Sequence, residues 1–523
     1  MISSQGEAQH TRGAAGQHAP GVTVVIPTYN NSMLLGACLQ SLRALNYPRE
    51  RLQTIVVDNG SSDGTRNLVH ARSPEVQVVR LEENSGFAAA CNRGAEEATD
   101  DYVAFLNDDA VAEKEWLNGL FAGLEAGGEG AVCAASRILS RDGKETEFSG
   151  ASSNLFGVGR PRSVWGWPDA PEPPAEGSPI LFASGGAMLV HRRTFLDAGG
   201  FDPAFFAYFE DVDLGWRLWL LGHKVVYAPA SVVRHTGGAT GSRSAAYKRY
   251  TLWECNSLAV VLKNYQAGNM EQILSAAILL LFKRAVLSAG SNIDLKQYRI
   301  GGPPDTNAAN VEKLPRISVA HLAAIDRFNR LLPHFMGERR RIQSRRMRSD
   351  KEILPLLGRP WDAQFAGAEY AQAAHDLAVA LELYGIEGGA APRRVLVVAN
   401  AKEETGAARL AKRLSNSVPV ALALVGEERP AHGPIKDVTI HTLRVGDPRL
   451  LSLSQQADML VLSASLAGIE ALTTAGGQIV LVGSAGTSQQ GGLAALYTDS
   501  WESDEIERFC LAPEQKPVAT LGD

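Results

Sequence analysis

Residues 22–31 read VTVVIPTYNN and residues 102–109 read YVAFLNDD. In each, a short β-branched or aromatic run is cut off by polar residues. That is the pattern of a strand buried on both faces and ending at a sheet edge. Between these two runs, Asn31–Leu45 carries helical periodicity, with Leu34, Leu35, Cys38, Leu39 and Leu42 on one face. Leu52–Val57 predicts a second strand, closed by Asp58-Asn59-Gly60, and a helix follows from Gly64. Val76–Arg80 predicts a third strand, Ala88–Ala98 a third helix and Tyr102–Leu106 a fourth strand. Such alternation implies a parallel sheet with helices on its faces. Ligands of these sheets bind beyond the carboxyl ends of the strands. The polar residues at those ends are Thr28, Tyr29, Asn30, Asp58, Asn59, Asn107, Asp108 and Asp109, which makes this edge the expected address of a nucleotide.

The chain has 523 residues, 45% hydrophobic and 21% charged, with a formal charge of −6. These values suit a folded protein of several domains and exclude a disordered or collagenous chain. The charge balance gives no reason to expect nucleic acid. Five cysteines, widely spaced and without a CxxC pair, predict neither a disulfide framework nor a structural zinc site, and suit a reducing compartment. Residues 1–20 lack an apolar core and read as a flexible tail. The most apolar stretch, Ile273–Phe282, stops at Lys283-Arg284, well short of the roughly 20 residues that span a bilayer. Residues 157–180, with six prolines, read as a long loop, and residues 245–350 as mainly helical. Alternation resumes after a helical lead-in from residue 364. Val395–Ala399, Val420–Leu424, Val438–Leu443, Met459–Ser463 and Ile479–Val482 predict the strands of a second, smaller α/β domain.

Four segments carry candidate chemistry. Asn107-Asp108-Asp109 places two acids after an apolar strand; clustered oxygens suit Mg²⁺ or Mn²⁺, and equally suit a turn. Phe209-Glu210-Asp211-Val212-Asp213 places three acids before an apolar helical pattern, where they serve either as helix-start charges or as a general base in a cleft. His235 closes the apolar run Val225–Val233; it is a structural histidine unless the fold brings it beside Asp109. Asn84-Ser85-Gly86-Phe87, followed by small residues up to Asn92, lets backbone N–H groups approach a diphosphate or simply starts a tightly packed helix.

Taken in order, VTVVIPTYNN (22–31), IVVDNGSSDGT (55–65), NSGFAAACNRG (84–94), FLNDDA (105–110), SGGAMLVHRR (184–193), FFAYFEDVDLGWRLWLLGH (205–223) and VVRHTGG (232–238) resemble family 2 of the nucleotide-sugar glycosyltransferases, and within it bacterial rhamnosyltransferase-like members. The resemblance implies a GT-A catalytic domain, Rossmann-like with a mostly parallel sheet, over 21–244. A helical acceptor-side or membrane-proximal extension would cover 245–355, and a Rossmann-like α/β domain with its lead-in 364–523. It implies a nucleotide-sugar site of Pro27, Thr28, Tyr29, Asn30, Asp58, Asn59, Asn84, Gly86, Phe87, Asn92, Asn107, Asp108 and Gly186. Asp109, with His235, would hold Mn²⁺ or Mg²⁺, and Asp211 would be the catalytic base with Glu210 as its neighbour. The implied reaction is inverting transfer of rhamnose or a similar hexose from a dTDP- or UDP-linked donor to a glycan or polyprenyl-linked acceptor. An inactive nucleotide-sugar or glycan-binding scaffold and a nucleotidyltransferase are the alternatives.

Arg341, Arg345 and Arg348 would share one helical face, which points either to docking on an anionic membrane or to a solvated, internally paired helix. The expected location is cytoplasmic, at the inner face of the membrane. The C-terminal domain shows no acid/base cluster and reads as a scaffold, with room for a homodimer contact.

Overall fold

The computed structural model describes residues 19–161, 173–236, 246–290, 314–358, 360, 365 and 368–387 and, beyond these, a helical turn at 407–411 and six strands. The elements run β1 (Val22–Thr28), α1 (Ser32–Arg43), β2 (Leu52–Asn59), α2 (Thr65–Arg72), β3 (Gln77–Leu81), α3 (Phe87–Glu97), β4 (Tyr102–Leu106), β5 (Ala110–Ala112), α4 (Trp116–Gly127), β6 (Ala131–Ser140), β7 (Thr146–Phe148), β8 (Ala151–Ser153), β9 (Gly159–Pro161), β10 (Ala187–His191), α5 (Arg192–Asp197), α6 (Glu210–Leu220) and β11 (Lys224–His235). Helices follow as α7 (Ala246–Asn264), α8 (Ala267–Ala289), α9 (Arg316–Gln343), α10 (Asp350–Ile353) and α11 (Ala368–Ala380). The remaining strands are β12 (Val395–Asn400), β13 (Val420–Val425), β14 (Val438–Leu443), β15 (Met459–Ser463), β16 (Gln478–Val482) and β17 (Ala494–Thr498).

The chain forms two compact units. The first comprises Met1–Ser153, Gly157–Gln266 and Ala324–Gly358. Its nine-stranded sheet has the order β3-β2-β1-β4-β10-β6-β11-β5, with β7 beside β6. The four strands from β3 to β4 are parallel, as the alternation predicts. Then β10 enters antiparallel between β4 and β6, and β11 runs parallel to β6. Strand β1 continues through Pro27 to Thr28, two residues beyond the predicted end. Proline fits there because pairing with β4 stops at Val25, so that side asks no N–H of Pro27. The loop expected at 157–180 is partly a hairpin, because β9 pairs antiparallel with β8; residues 162–172 lie outside the described residues.

The first unit extends well past the expected boundary at residue 244. Lys263 of α7 is fully buried and donates to Asp202 at 2.6 Å and to Asp213 of α6 at 2.9 Å. Arg217, also buried, pairs with Asp213 at 2.8 Å. His334 of α9 reaches the other oxygen of Asp202 at 2.8 Å. Charges taken out of water need partners of this kind, and the network ties α6, α7 and α9 together.

The arginines near the end of α9 have a different task from the expected one. Arg341 donates to the carbonyl of Ala198 and pairs with Glu338, and Arg345 donates to the carbonyl of Asp197. Arg348 donates to the carbonyls of Trp219, Gly222 and His223 and lies over the Trp219 ring. Arg339 is buried and holds the carbonyls of Leu262 and Tyr265. These groups cap the carboxyl ends of α5, α6 and α7, where unpaired carbonyls and the helix dipole favour cations. The three guanidinium groups expected to face a membrane are therefore engaged internally, which favours the paired-helix alternative.

The second unit comprises Asn154–Phe156, Ala267–Ala323 and Arg359–Asp523. Its six strands are all parallel in the order β14-β13-β12-β15-β16-β17. The chain moves outward from β12 one way and then the other, the doubly wound arrangement. Five of these strands match the sequence expectation; β17 does not figure in it. Helix α8 is longer than its apolar stretch suggested: its 23 residues suffice by length and composition to cross a membrane. It nevertheless packs against α11, burying Ile273, Ala276, Ala277, Leu280, Leu281 and Arg284.

Candidate active site

Strands β1 and β4 are adjacent and parallel, and the chain leaves β1 toward β2 on one side and β4 toward β10 on the other. This is the switch point at which a crevice opens beyond the strand ends. Asp108 spans it. One carboxylate oxygen accepts from the Thr28 hydroxyl at 2.6 Å and the other from the Asn31 amide at 2.8 Å. Asp108 is buried. It braces the two strand ends, a role distinct from the donor contact expected of it.

The next residue, Asp109, meets His235. Strand β5 pairs with the end of β11, placing His235 opposite Ala110, and the N–H of Thr236 donates to the Asp109 carbonyl at 3.0 Å. His235 Nε2 then lies 3.0 Å from an Asp109 oxygen and Nδ1 lies 2.7 Å from Glu147 on β7. Burial alone would lower the imidazole pKa. The hydrogen bonds to Asp109 and Glu147, and their charges, outweigh it and raise the pKa to about 10. The fold thus supplies the proximity that sequence made the condition for a functional His235. Glu147 was missed because it sits on a three-residue strand with no flanking pattern. Among the described residues no three His, Cys, Asp or Glu side chains form a ready-made metal cage.

The second half of the site is the start of α6. Asp211 accepts from the N–H of Gly185 at 3.1 Å with one oxygen and from that of Val212 at 2.8 Å with the other. Burial raises its pKa, and these N–H groups pull it back toward the ionised form. Glu210 is more deeply buried, and its Oε2 has no hydrogen-bond partner. Burial, and then the Asp211 charge, hold its carboxyl well above the usual range. Burial holds both carboxyls above their ordinary values, Glu210 the further, while the N–H groups of Gly185 and Val212 favour the anion at Asp211.

Consecutive glycines connect the two halves. Gly185 donates to Asp211, and the Gly186 carbonyl accepts from the N–H of Asn107 at 2.9 Å. A side chain at Gly186 would meet the Asn107 amide at 2.9 Å and push it aside. Gly185, absent from the sequence expectation, is the contact that orients Asp211.

The other expected donor residues separate into two groups. Tyr29 is 40% exposed at the rim and offers a ring face, and Phe87 opens α3 beside Gly185. Pro27 is buried in β1, as its strand position requires. Asn30, Asp58, Asn59 and Asn84 shape the loops. The side chain of Asn30 accepts from the N–H of Ser62, and Asp58 accepts from the N–H of Ser61 and pairs with Arg80 at 3.2 Å. Asn59 donates to Asn84 and to the Gly86 carbonyl and accepts from the N–H of Ser85. Both ends of the Asn92 amide bind the Phe201 backbone, at 2.7 and 2.9 Å, fastening α3 to the segment after α5.

The family model described as Glycosyl transferase family 2 matches residues 23–196. The N-acetylglucosaminyl-diphospho-decaprenol L-rhamnosyltransferase of Mycobacterium tuberculosis is 32% identical over 232 residues, 39% of this chain and 74% of that protein. The pre-mycofactocin glycosyltransferase of the same species is 31% identical over 237 residues, 43% of this chain but only 45% of its own length. Among solved structures, the mannosyltransferase PcManGT from Pyrobaculum calidifontis, in complex with GDP-Man and Mn²⁺, aligns with a TM-score of 0.37 at 18% identity, over 60% of this chain and 88% of its own. S. aureus TarS aligns with a TM-score of 0.39 at 16% identity, over 70% and 55%. Those structural likenesses are too distant to carry a residue-level reading. The sequence match to the rhamnosyltransferase covers most of that relative, and on this ground the chain belongs to glycosyl transferase family 2 and is a glycosyltransferase.

Proposed function

We propose that the enzyme transfers a hexose, rhamnose first among the candidates, from a dTDP- or UDP-linked donor to a polyprenyl-linked or other cell-surface glycan acceptor, with inversion. The observation that carries this reading is the Asp211 carboxylate held by the N–H groups of Gly185 and Val212 beside the buried Glu210, and joined through Gly185 and Gly186 to the strand-end loop of Asp109. Asp211 takes the proton of the acceptor hydroxyl as that oxygen attacks the anomeric carbon. The nucleoside diphosphate leaves from the opposite face, so one displacement inverts the centre. The relative that acts on N-acetylglucosaminyl-diphospho-decaprenol supports the choice of sugar and of a lipid-linked acceptor, which would bring the enzyme to the cytoplasmic face of the membrane. A panel of nucleotide sugars, scored by which nucleoside diphosphate is released and whether sugar reaches a GlcNAc-diphosphoprenol acceptor, tests it. Release of no nucleoside diphosphate from any donor would sink the proposal.

Asp109 and His235 fit a divalent cation. One carboxylate and one imidazole suit Mn²⁺ ahead of Mg²⁺, which favours oxygen alone. When bound, the ion would neutralise charge growing on the diphosphate leaving group. Asp109→Ala is expected to abolish the metal-dependent part of nucleoside diphosphate binding, measured by calorimetry with and without Mn²⁺. Full wild-type turnover in excess chelator, with no metal in the protein by mass spectrometry, would refute metal dependence. Glu147 holds the Nδ1 side of His235 and so presents Nε2 toward Asp109. Glu147→Gln is expected to weaken Mn²⁺ binding about 10–100-fold, read from a metal titration of the protein alone.

A further inference from the structure

Three residues in the turn before α6 have left-handed backbones: Phe206 (φ 66°), Tyr208 (φ 71°) and Phe209 (φ 66°). None is glycine, and such conformations persist only where the surroundings hold them. The turn leads directly into Glu210 and Asp211, so whatever fixes it also sets the position of the base. One side chain does most of this. Asn256 of α7, fully buried, directs its Nδ2 at three carbonyls of the turn: Phe205 at 3.1 Å, Ala207 at 3.0 Å and Tyr208 at 2.7 Å. Three acceptors converging on one atom require the amide nitrogen there and leave Oδ1 without a hydrogen bond. From the other side, the N–H of Ala88 donates to the Phe206 carbonyl at 3.3 Å. A side chain at Gly86 would strike that same carbonyl, and Gly86 itself has φ 90°. The arch is therefore clamped between the Asn84–Ala88 donor loop and α7.

We infer that Asn256 is a positioning residue for the transfer step: its amide holds the left-handed arch that aims Asp211, and it acts only through Asp211. The inference rests on Asp211 being the base. A misplaced catalytic group of about 1 Å costs about 10²-fold in rate. Asn256→Asp keeps the shape, removes both donors and turns an anion toward three carbonyls. Asn256→Leu removes the donors without adding charge.

The test uses the full chain and whichever nucleotide sugar the wild type turns over fastest. Both variants are expected to lower the thermal midpoint, since three buried carbonyls lose their donor, yet the folded protein is expected to bind UDP and dTDP near wild type by calorimetry while kcat falls about 10²-fold. In an Asp211→Asn background, adding Asn256→Asp is expected to cause no further loss of kcat in folded protein, because both changes disable the same group. A merely structural role would instead leave kcat per folded molecule near wild type or weaken nucleotide binding in step with it. Wild-type kcat in both folded variants, additive losses in the double variant, or failure of both variants to fold would each overturn the inference. A silent Asp211→Asn alone overturns the base assignment, which separates the two failures.

Discussion

Asp211→Asn abolishes transfer, with a loss of about 10²–10⁴-fold, while binding of the nucleoside diphosphate is unchanged. The substitution is almost isosteric. The amide oxygen keeps one of the two N–H contacts, and the other N–H, of Gly185 or Val212, loses its acceptor to the amide nitrogen at a modest cost in stability. What disappears is the proton acceptor. Glu210 does not replace it, because its Oε2 has no hydrogen-bond partner and burial raises its pKa well above the usual range. Removing the Asp211 charge lowers the Glu210 pKa somewhat without creating the N–H contacts that stabilise an anion. The measurement is single-turnover transfer on properly folded protein, with diphosphate affinity determined separately. Undiminished transfer would reject Asp211 as base.

Lys263→Met destabilises the first unit by about 3–5 kcal/mol, the usual cost of stranding buried charges. Methionine fills nearly the same volume, so the loss is electrostatic. It leaves the Asp202 and Asp213 carboxylates facing each other's field with only His334 and Arg217 in support. For both acids burial opposes ionisation, but the surrounding cations win and hold the pKa below its ordinary value. A carboxylate depressed on folding adds stability above its unfolded pKa, about 3.9, and that stability is lost as pH falls through the folded value. The wild type therefore loses this contribution only below about pH 4. Without Lys263 both folded pKa values rise toward or past the unfolded value, so the acid-dependent loss shrinks and the variant's deficit narrows as pH falls. Denaturant midpoints from pH 7 down to pH 3 read both effects. An unchanged midpoint at pH 7 would show that the ion cluster contributes nothing net.

What could be read from the sequence follows from the range of the forces involved. Val22–Ile26 and Tyr102–Leu106 were legible because parallel strands buried on both faces are continuous apolar runs. The acids and amides after them were legible because strand ends are local. His235 required β5 to pair with β11, which brings it beside Asp109 across 126 residues of sequence, a contact that only the fold supplies. β7 and β8 are three residues long and carry no periodicity, so Glu147 had no local sign. Asn256 and Lys263 lie inside a helix, where a polar residue most often marks a solvated face; here they are the buried ones. The arginines near the end of α9 show the converse. The expected shared helical face does not form, because α9 ends at Gln343 and Arg345 and Arg348 lie beyond it, and spacing says nothing of the carbonyls waiting on α5 and α6.

Those carbonyls bear on how the protein is made. A ribosome releases the carboxyl end of α5 and of α6 long before it releases the groups that complete them. Arg345 follows Asp197 by 148 positions, and Arg348 follows Trp219 by 129. At 5–20 residues per second, roughly 6–30 s of translation separate a catalytic helix from its terminal partner. During that interval the nascent sheet carries a helix end that only water satisfies, which is the state a holding chaperone would recognise. The same arithmetic sets the shortest gene fragment from which a working catalytic unit can be expected: it must be translated through Arg348, although the residues that perform the chemistry are complete at His235.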